Sequence, residues 1–381
     1  MKKHCLALIF IGFYQFTQAI DFSRVNVAWQ YNSGAELKMT HRVTKNEHGI
    51  SIYLRVRADS LTRWDYQFLI QNGYESENHR ELDLVRIDTL KKNEMEVTLK
   101  VELPNVSEDL LIIKASKTDQ SYYYDIELKI GNISFPNVFP VEKSGVPITE
   151  KYINRSGHSW GGGDSLFVHQ YREEFPRADP PMAEMKPITP NAKKVTSFSS
   201  INDTLVFEEE HFYVVMNDAN ASSGVTMLRV APYFPEYRRL RELVSSMLYL
   251  TSEAEEKALL KSKDLKKDFD SFWINNLDSK AKARTAIRKY YRNVRHANEL
   301  FTDFKPGWKT DPGMMYIVYG KPDEVYRLNG LEEWYYDSGE AFEFNVISTF
   351  FAPRTYSLRR NIEYEEGWFQ KIAAIRRGIN E

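Results

Sequence analysis

The chain has 381 residues, 42% hydrophobic and 14% aromatic, which is enough apolar material for two or three packed domains. The charged fraction of 27% is that of an ordinary globular protein. The formal net charge of -2 argues against a general nucleic-acid binder.

Met1 to Ala19 reads as a secretory signal peptide. Lys2, Lys3 and His4 form a basic start, Cys5 to Phe16 an apolar run, and Thr17-Gln18-Ala19 a small-residue cleavage site. The apolar run is shorter than the roughly 20 residues a bilayer span needs. Cleavage removes Lys2 and Lys3 from the 51 basic residues and leaves 49 against 53 acidic. It also removes Cys5, the one cysteine, which precedes the apolar run and is wrongly placed for a lipoprotein acyl site. The mature chain is then expected to hold no disulfide, no thiol nucleophile and no Cys-ligated metal. No later segment has the length and apolarity of a membrane span, so an exported protein without a transmembrane segment is expected.

From residue 20 to residue 131 short alternating runs predict an all-β sandwich. The expected strands are Val25 to Tyr31, Glu36 to Val43, Ile50 to Arg57, Asp65 to Gln71, Glu94 to Leu103, Leu110 to Ala115 and Tyr123 to Ile130. Ser51 to Arg57 is the cleanest, with Ile52, Leu54 and Val56 on one face. Residues 132–231 predict a second, smaller β-rich domain. It opens with a glycine-rich stretch, Ser156 to Ser165, read as a mobile hairpin tip and not a phosphate loop. His158, Asp164 and His169 are spread loosely like metal ligands, but no predicted element fixes them, and no metal or other cofactor is assigned. Pro176 to Pro190 reads as an extended crossover.

At Pro232 and Pro235 the period becomes helical, and residues 232–303 predict a helical segment. Tyr237 to Tyr249 is amphipathic. Ser252 to Glu255 is a capping box, and Asp264 to Asn275 buries Leu265, Phe269, Phe272 and Trp273. Ser279 to Phe304 is a long helix with Ile287, Tyr290, Tyr291, Val294, Ala297 and Phe301 on one face. Arg284, Arg288, Arg292 and Arg295 make a stripe beside that face, and a guanidinium row suits carboxylates or phosphates. The competing reading is a salt-bridged, solvated surface.

Residues 304–381 predict a small α+β domain. Pro306-Gly307 ends the long helix, Trp308 needs a pocket, and Thr310-Asp311-Pro312-Gly313 is turn chemistry. Met314 to Tyr319 predicts a buried strand, Gly320 to Asp323 a turn, and Glu333 to Tyr336 and Ala341 to Ile347 its partners, with Trp308 and Trp334 in the core. A basic helix, Glu366 to Ile379, closes the chain with Trp368, Phe369, Ile372 and Ile375 inward.

Gly307-Trp308-Lys309-Thr310-Asp311, the YIVYGKPD run through Gly320, Pro322 and Asp323, and the later Trp334-Tyr335-Tyr336 together resemble the GWxTD domain of Gram-negative envelope proteins. Phe272-Trp273 and Tyr290 to Asn298 extend the resemblance, over roughly residues 240–345. Two positions depart from the pattern. Pro312 stands where the family has Arg, and Ile274 to Asp278 replaces a polar segment. The resemblance implies the periplasm or envelope of a Gram-negative bacterium. It implies no reaction.

Three functions follow as expectations. The first is a non-enzymatic interaction module for other envelope proteins or glycans, binding through Trp308, Thr310, Asp311, Trp334 and the four arginines. The second is a hydrolase on an envelope polymer, with His296, Asp311 and Asp323 as its acid-base groups. The third is an accessory subunit of a secretion or surface-assembly machine. No Ser-centred elbow, HExxH pair or phosphate loop favours the enzyme.

Overall fold

Period-two alternation becomes paired strands throughout the first third of the chain. The computed structural model describes residues 21–379 apart from 47–48, 62–63, 77, 83–85, 105, 130–134, 172–174, 185–193, 210, 222 and 278. The expected signal peptide, Asp278 and the end of the proline-rich crossover lie outside the described residues. The strands are β1 (Leu37–Asn46), β2 (Gly49–Ala58), β3 (Asp65–Gln71), β4 (His79–Glu81), β5 (Arg86–Lys92), β6 (Glu96–Pro104), β7 (Leu110–Lys117) and β8 (Gln120–Glu127). They form two antiparallel sheets, β1-β2-β6-β5 and β4-β3-β7-β8. Ile52, Leu54, Val56 and Val101 of one sheet share a core with Ile70, Leu111, Ile113 and Ile126 of the other. Each such burial contributes about 1.5–3 kcal/mol, offset by the entropy of ordering the chain.

The first expected strand, Val25 to Tyr31, is not one. Short 3-10 turns occupy Phe22–Arg24 and Ala28–Tyr31. Asp21 accepts from the Ser23 amide and Asn26 from the Ala28 amide, so local side-chain bonds replace a ladder. The apolar residues there, Phe22, Val27, Ala28 and Tyr31, join the C-terminal core instead.

The next region holds β9 (Phe139–Val141), β10 (Tyr152–Ile153), β11 (Gly157–Gly161), β12 (Ser165–Tyr171), β13 (Lys194–Ser200), β14 (Leu205–Val206), β15 (Phe212–Met216) and β16 (Val225–Arg229). Their sheets run β10-β16-β15-β12-β13 and β14-β11-β9, with β10 and β16 parallel. The glycine-rich stretch is no hairpin tip, because β11 and β12 leave it for different sheets. Gly162 (φ +79°) makes the break, and a Cβ there would lie 1.8 Å from the Asn137 carbonyl oxygen.

The helices are α1 (Leu240–Ser246), α2 (Glu253–Leu260), α3 (Leu265–Asn275), α4 (Lys280–Phe301), α5 (Asp311–Tyr319) and α6 (Tyr364–Arg376). Between the last two lies an antiparallel meander, β17 (Glu324–Leu328), β18 (Leu331–Tyr335), β19 (Ala341–Ile347) and β20 (Thr355–Leu358). The expected capping box is formed: Ser252 Oγ accepts from the Glu255 amide, and Glu255 accepts from the Ser252 amide.

Two expectations are corrected here. Met314 to Tyr319 is helical and lies within α5, so the sheet begins with Glu324–Leu328. Thr310 caps that helix, Asp311 and Pro312 fill its first turn, and Gly320 (φ +86°) ends it. Pro312 to Val318 are all buried, so no polar face reveals the 3.6-residue period. In α6, Trp368 and Ile372 are buried but Phe369 is 56% exposed. The molecule is thus β-rich, with five sheets and a C-terminal helical region.

Candidate functional site

The Gly307–Asp311 stretch is tied on every side to its own chain. The Gly307 amide donates to Thr302 Oγ1 at 2.9 Å, and the Trp308 amide to Asn298 Oδ1 at 3.1 Å. Tyr249 donates its hydroxyl to the Trp308 carbonyl at 3.0 Å and meets the indole edge-on. Gly307 lies so close to α4 that a Cβ would stand 1.9 Å from the Ala297 carbonyl oxygen. Thr310 Oγ1 donates to the Gly307 carbonyl at 2.7 Å and accepts from the Gly313 amide at 3.1 Å. Lys309 donates its ammonium to the Phe175 carbonyl, while its own carbonyl accepts from the Ala178 amide.

Asp311 does not turn back on its own loop. Its carboxylate takes a two-pronged bond from Arg360, at 2.8 and 3.1 Å, and a third from the Leu358 amide at 2.8 Å. Trp308 is 4% exposed, and Trp334 is fully enclosed by Tyr31, Phe301 and Phe344. The signature therefore binds α4, α5, residues 175–178 and the strand end at 358–360 into one joint. Gly320 caps α5, Pro322 is buried, and Asp323 accepts from the Asp337 amide at 2.8 Å.

His296, Asp311 and Asp323 fall into three separate surroundings. Both ring nitrogens of His296 lie 2.9–3.1 Å from Ser33 Oγ, and its ring meets Tyr316 edge-on. Burial first, then Arg295 and Arg292, push its protonation down to about 4. No hydrogen bond or ion pair joins any two of the three among the described residues. His158 and His169 stand on β11 and β12, in different sheets. No group of three potential metal ligands assembles among the described residues.

The arginine stripe divides. Arg295 lies 3.6 Å from Glu299 and 3.7 Å from Glu236. Arg284, Arg288 and Arg292 are exposed, and no hydrogen bond or ion pair engages them among the described residues. Opposite them, Ala283, Ala286, Tyr290, Val294, Ala297 and Phe301 pack inward. Three guanidinium groups four residues apart thus face solvent along about 12 Å of helix.

One cluster escaped the sequence reading. Arg327 on β17 pairs with Asp125 on β8 and with Glu332 on β18, and its Nη2 donates to Tyr31 Oη at 3.0 Å. Tyr31 in turn donates to Glu332, and Tyr74 donates to Asp125. These three charged side chains are 6%, 0% and 1% exposed. Burial would raise the Asp125 carboxyl, but Arg327 and Arg354 hold it well below the carboxylate range. The sequence carries no signal for it: Tyr124 and Ile126 face the sandwich core, so alternation puts Asp125 on the opposite face, which reads as solvent until Arg327 covers it.

No curated protein matches the chain. A match to the family model of the GWxTD domain spans residues 211–377, wider at both ends than the stretch that carries the motifs, so this part of the chain is similar to that domain.

Proposed function

We propose that this is a non-enzymatic exported envelope protein whose GWxTD domain engages an acidic surface of another envelope protein through α4. The carrying observation is the row Arg284, Arg288 and Arg292, exposed and unpaired among the described residues. A fold that needed these cations for its own stability would neutralise them, as it does Arg327 and Arg360. The signature residues support the same reading from the other side, since their polar atoms are spent on internal bonds. Among the described residues no helix is long and apolar enough to cross a membrane, which leaves the leader as the basis for export. The two sheets around the first core form an N-terminal sandwich over 20–131, followed by units at 132–231, 232–303 and 304–381.

The test is proximity crosslinking of the mature protein in its own envelope, native chain against Arg288→Glu/Arg292→Glu. The expected result is a partner crosslinked through aspartate- or glutamate-rich sequence. It disappears with charge reversal and weakens as ionic strength rises. A partner retained by the reversed variant would overturn the role of α4.

A further inference from the structure

A cleft of about 740 Å³ opens between the first two β regions, lined by no residue of the signature and within the usual size range of small-molecule sites, about 300–1,000 Å³. Its floor is Arg55 on β2, only 6% exposed, paired with Glu142 and with Glu150 at 2.9 Å. Lys91 stands 3.5 Å from Glu142 and completes the arrangement. These carboxylates are held in place by the cations, yet each is 25–32% exposed and keeps lone pairs for other donors. The wall is β11. There His158 is 9% exposed, its ring lies against Phe207, and its Nε2 is buried without a hydrogen-bond partner among the described residues. Burial lowers its protonation, against a hydrogen bond to the Arg155 backbone that raises it, which favours the neutral ring. Asn154, Ser159 and Thr204 add neutral polar groups, and the half-buried Val141 and Tyr152 add apolar surface.

This lining selects by charge. A strongly anionic ligand meets Glu142 and Glu150. A strongly cationic one meets Arg55, Lys91, Lys143 and Arg155. A hydroxyl group both donates and accepts, so it can satisfy fixed carboxylates and fixed cations at once. The C–H faces of a sugar ring suit Val141 and the Tyr152 ring. We infer that the cleft is a binding site for a neutral saccharide of one or two rings. This site is separate from the α4 surface, and neither reading depends on the other.

The experiment is saturation-transfer NMR on the full mature chain with maltose, lactose and N,N′-diacetylchitobiose, beside glucuronate and glucosamine as charged probes. The expected result is binding of at least one neutral disaccharide, weakened at least tenfold by Ser159→Trp, which fills the cleft. That variant should retain the native unfolding midpoint, and Arg288→Glu/Arg292→Glu should bind the sugar like the native chain. No binding of any of the three disaccharides overturns the inference. So does equal or tighter binding of the charged probes, or sugar binding that survives Ser159→Trp.

Discussion

At the scale of single residues the GWxTD signature reads as a joint. Gly307 is there because nothing larger fits: a Cβ at 1.9 Å from a backbone oxygen forces either α4 or the loop to move. Thr310 works as a helix cap, and Asp311 reaches across the chain to Arg360. Gly307→Ala should therefore lower stability by about 3 kcal/mol, at the upper end of overpacking costs and read as a fall in the urea midpoint. A contrasting glycine makes the test specific. Gly367 lies inside α6, where an added methyl finds ordinary contact, 3.7 Å from Tyr319 Oη. Gly367→Ala should be neutral or raise stability by up to about 1 kcal/mol through helix propensity. Equal losses at both sites would sink the steric account. The sequence shows the capping and turn chemistry of this stretch because those bonds are local. It does not show Arg360 as the partner of Asp311, because 49 residues separate them.

At the scale of elements, what could be read depended on whether polar and apolar residues alternate along each element. β6 buries one face more than the other, and β2, buried on both, still alternates Ile52, Leu54 and Val56 with Ser51, Tyr53 and Arg55, so the alternation located them. α4 shows the same logic at helical period, with tyrosines inward and arginines outward. α5 is buried all round, so its run of Met, Tyr, Ile and Val looked like a strand until its caps were seen in place. α6 was recognisable as a helix, but not what pins it. Arg376 donates twice to Glu255 of α2, at 2.7 and 2.8 Å, and once to the Leu250 carbonyl. The bond from Arg376 is the main reason the Glu255 carboxyl is held down to about 2. A carboxyl with a lowered folded value stabilises the fold above its unfolded value, near 4.5, and loses that contribution as pH falls toward 2. Hydrogen exchange should show α6 opening over that window while β1–β8 stay protected. Arg376→Leu should open α6 at neutral pH. Protection of residues 364–376 unchanged in the variant would show that Trp368 and Ile372 alone hold the helix.

At the scale of the molecule, the question is why the N-terminal sheets and the C-terminal meander share a core at all. Apolar contacts join them, since Phe22, Tyr31, Leu69 and Leu110 belong to the same cluster as Trp308 and Trp334. Such contacts are permissive about register, and the buried charges are not. Arg327 satisfies Asp125 from one unit and Glu332 from the other, with Gln30, Tyr31 and Tyr74 closing the remaining bonds. Removing the guanidinium leaves, among the described residues, Glu332 with no cation and Asp125 with Arg354 alone, 3.6 Å away, in a site that excludes water. Arg327→Met should then cost about 3–5 kcal/mol, the usual penalty for an uncompensated buried charge. The loss falls on the seam and not within either unit. Urea unfolding should accordingly split into two transitions, the meander region melting apart from β1–β8. Adding Asp125→Asn and Glu332→Gln to Arg327→Met removes the stranded charges while keeping the shapes, and it should recover part of the midpoint. If Arg327→Met lowers a single cooperative transition and the triple variant recovers nothing, the cluster contributes packing alone. Recovery with the two transitions merged again would show that stranded carboxylates, and not a lost guanidinium contact, uncouple the two sheets.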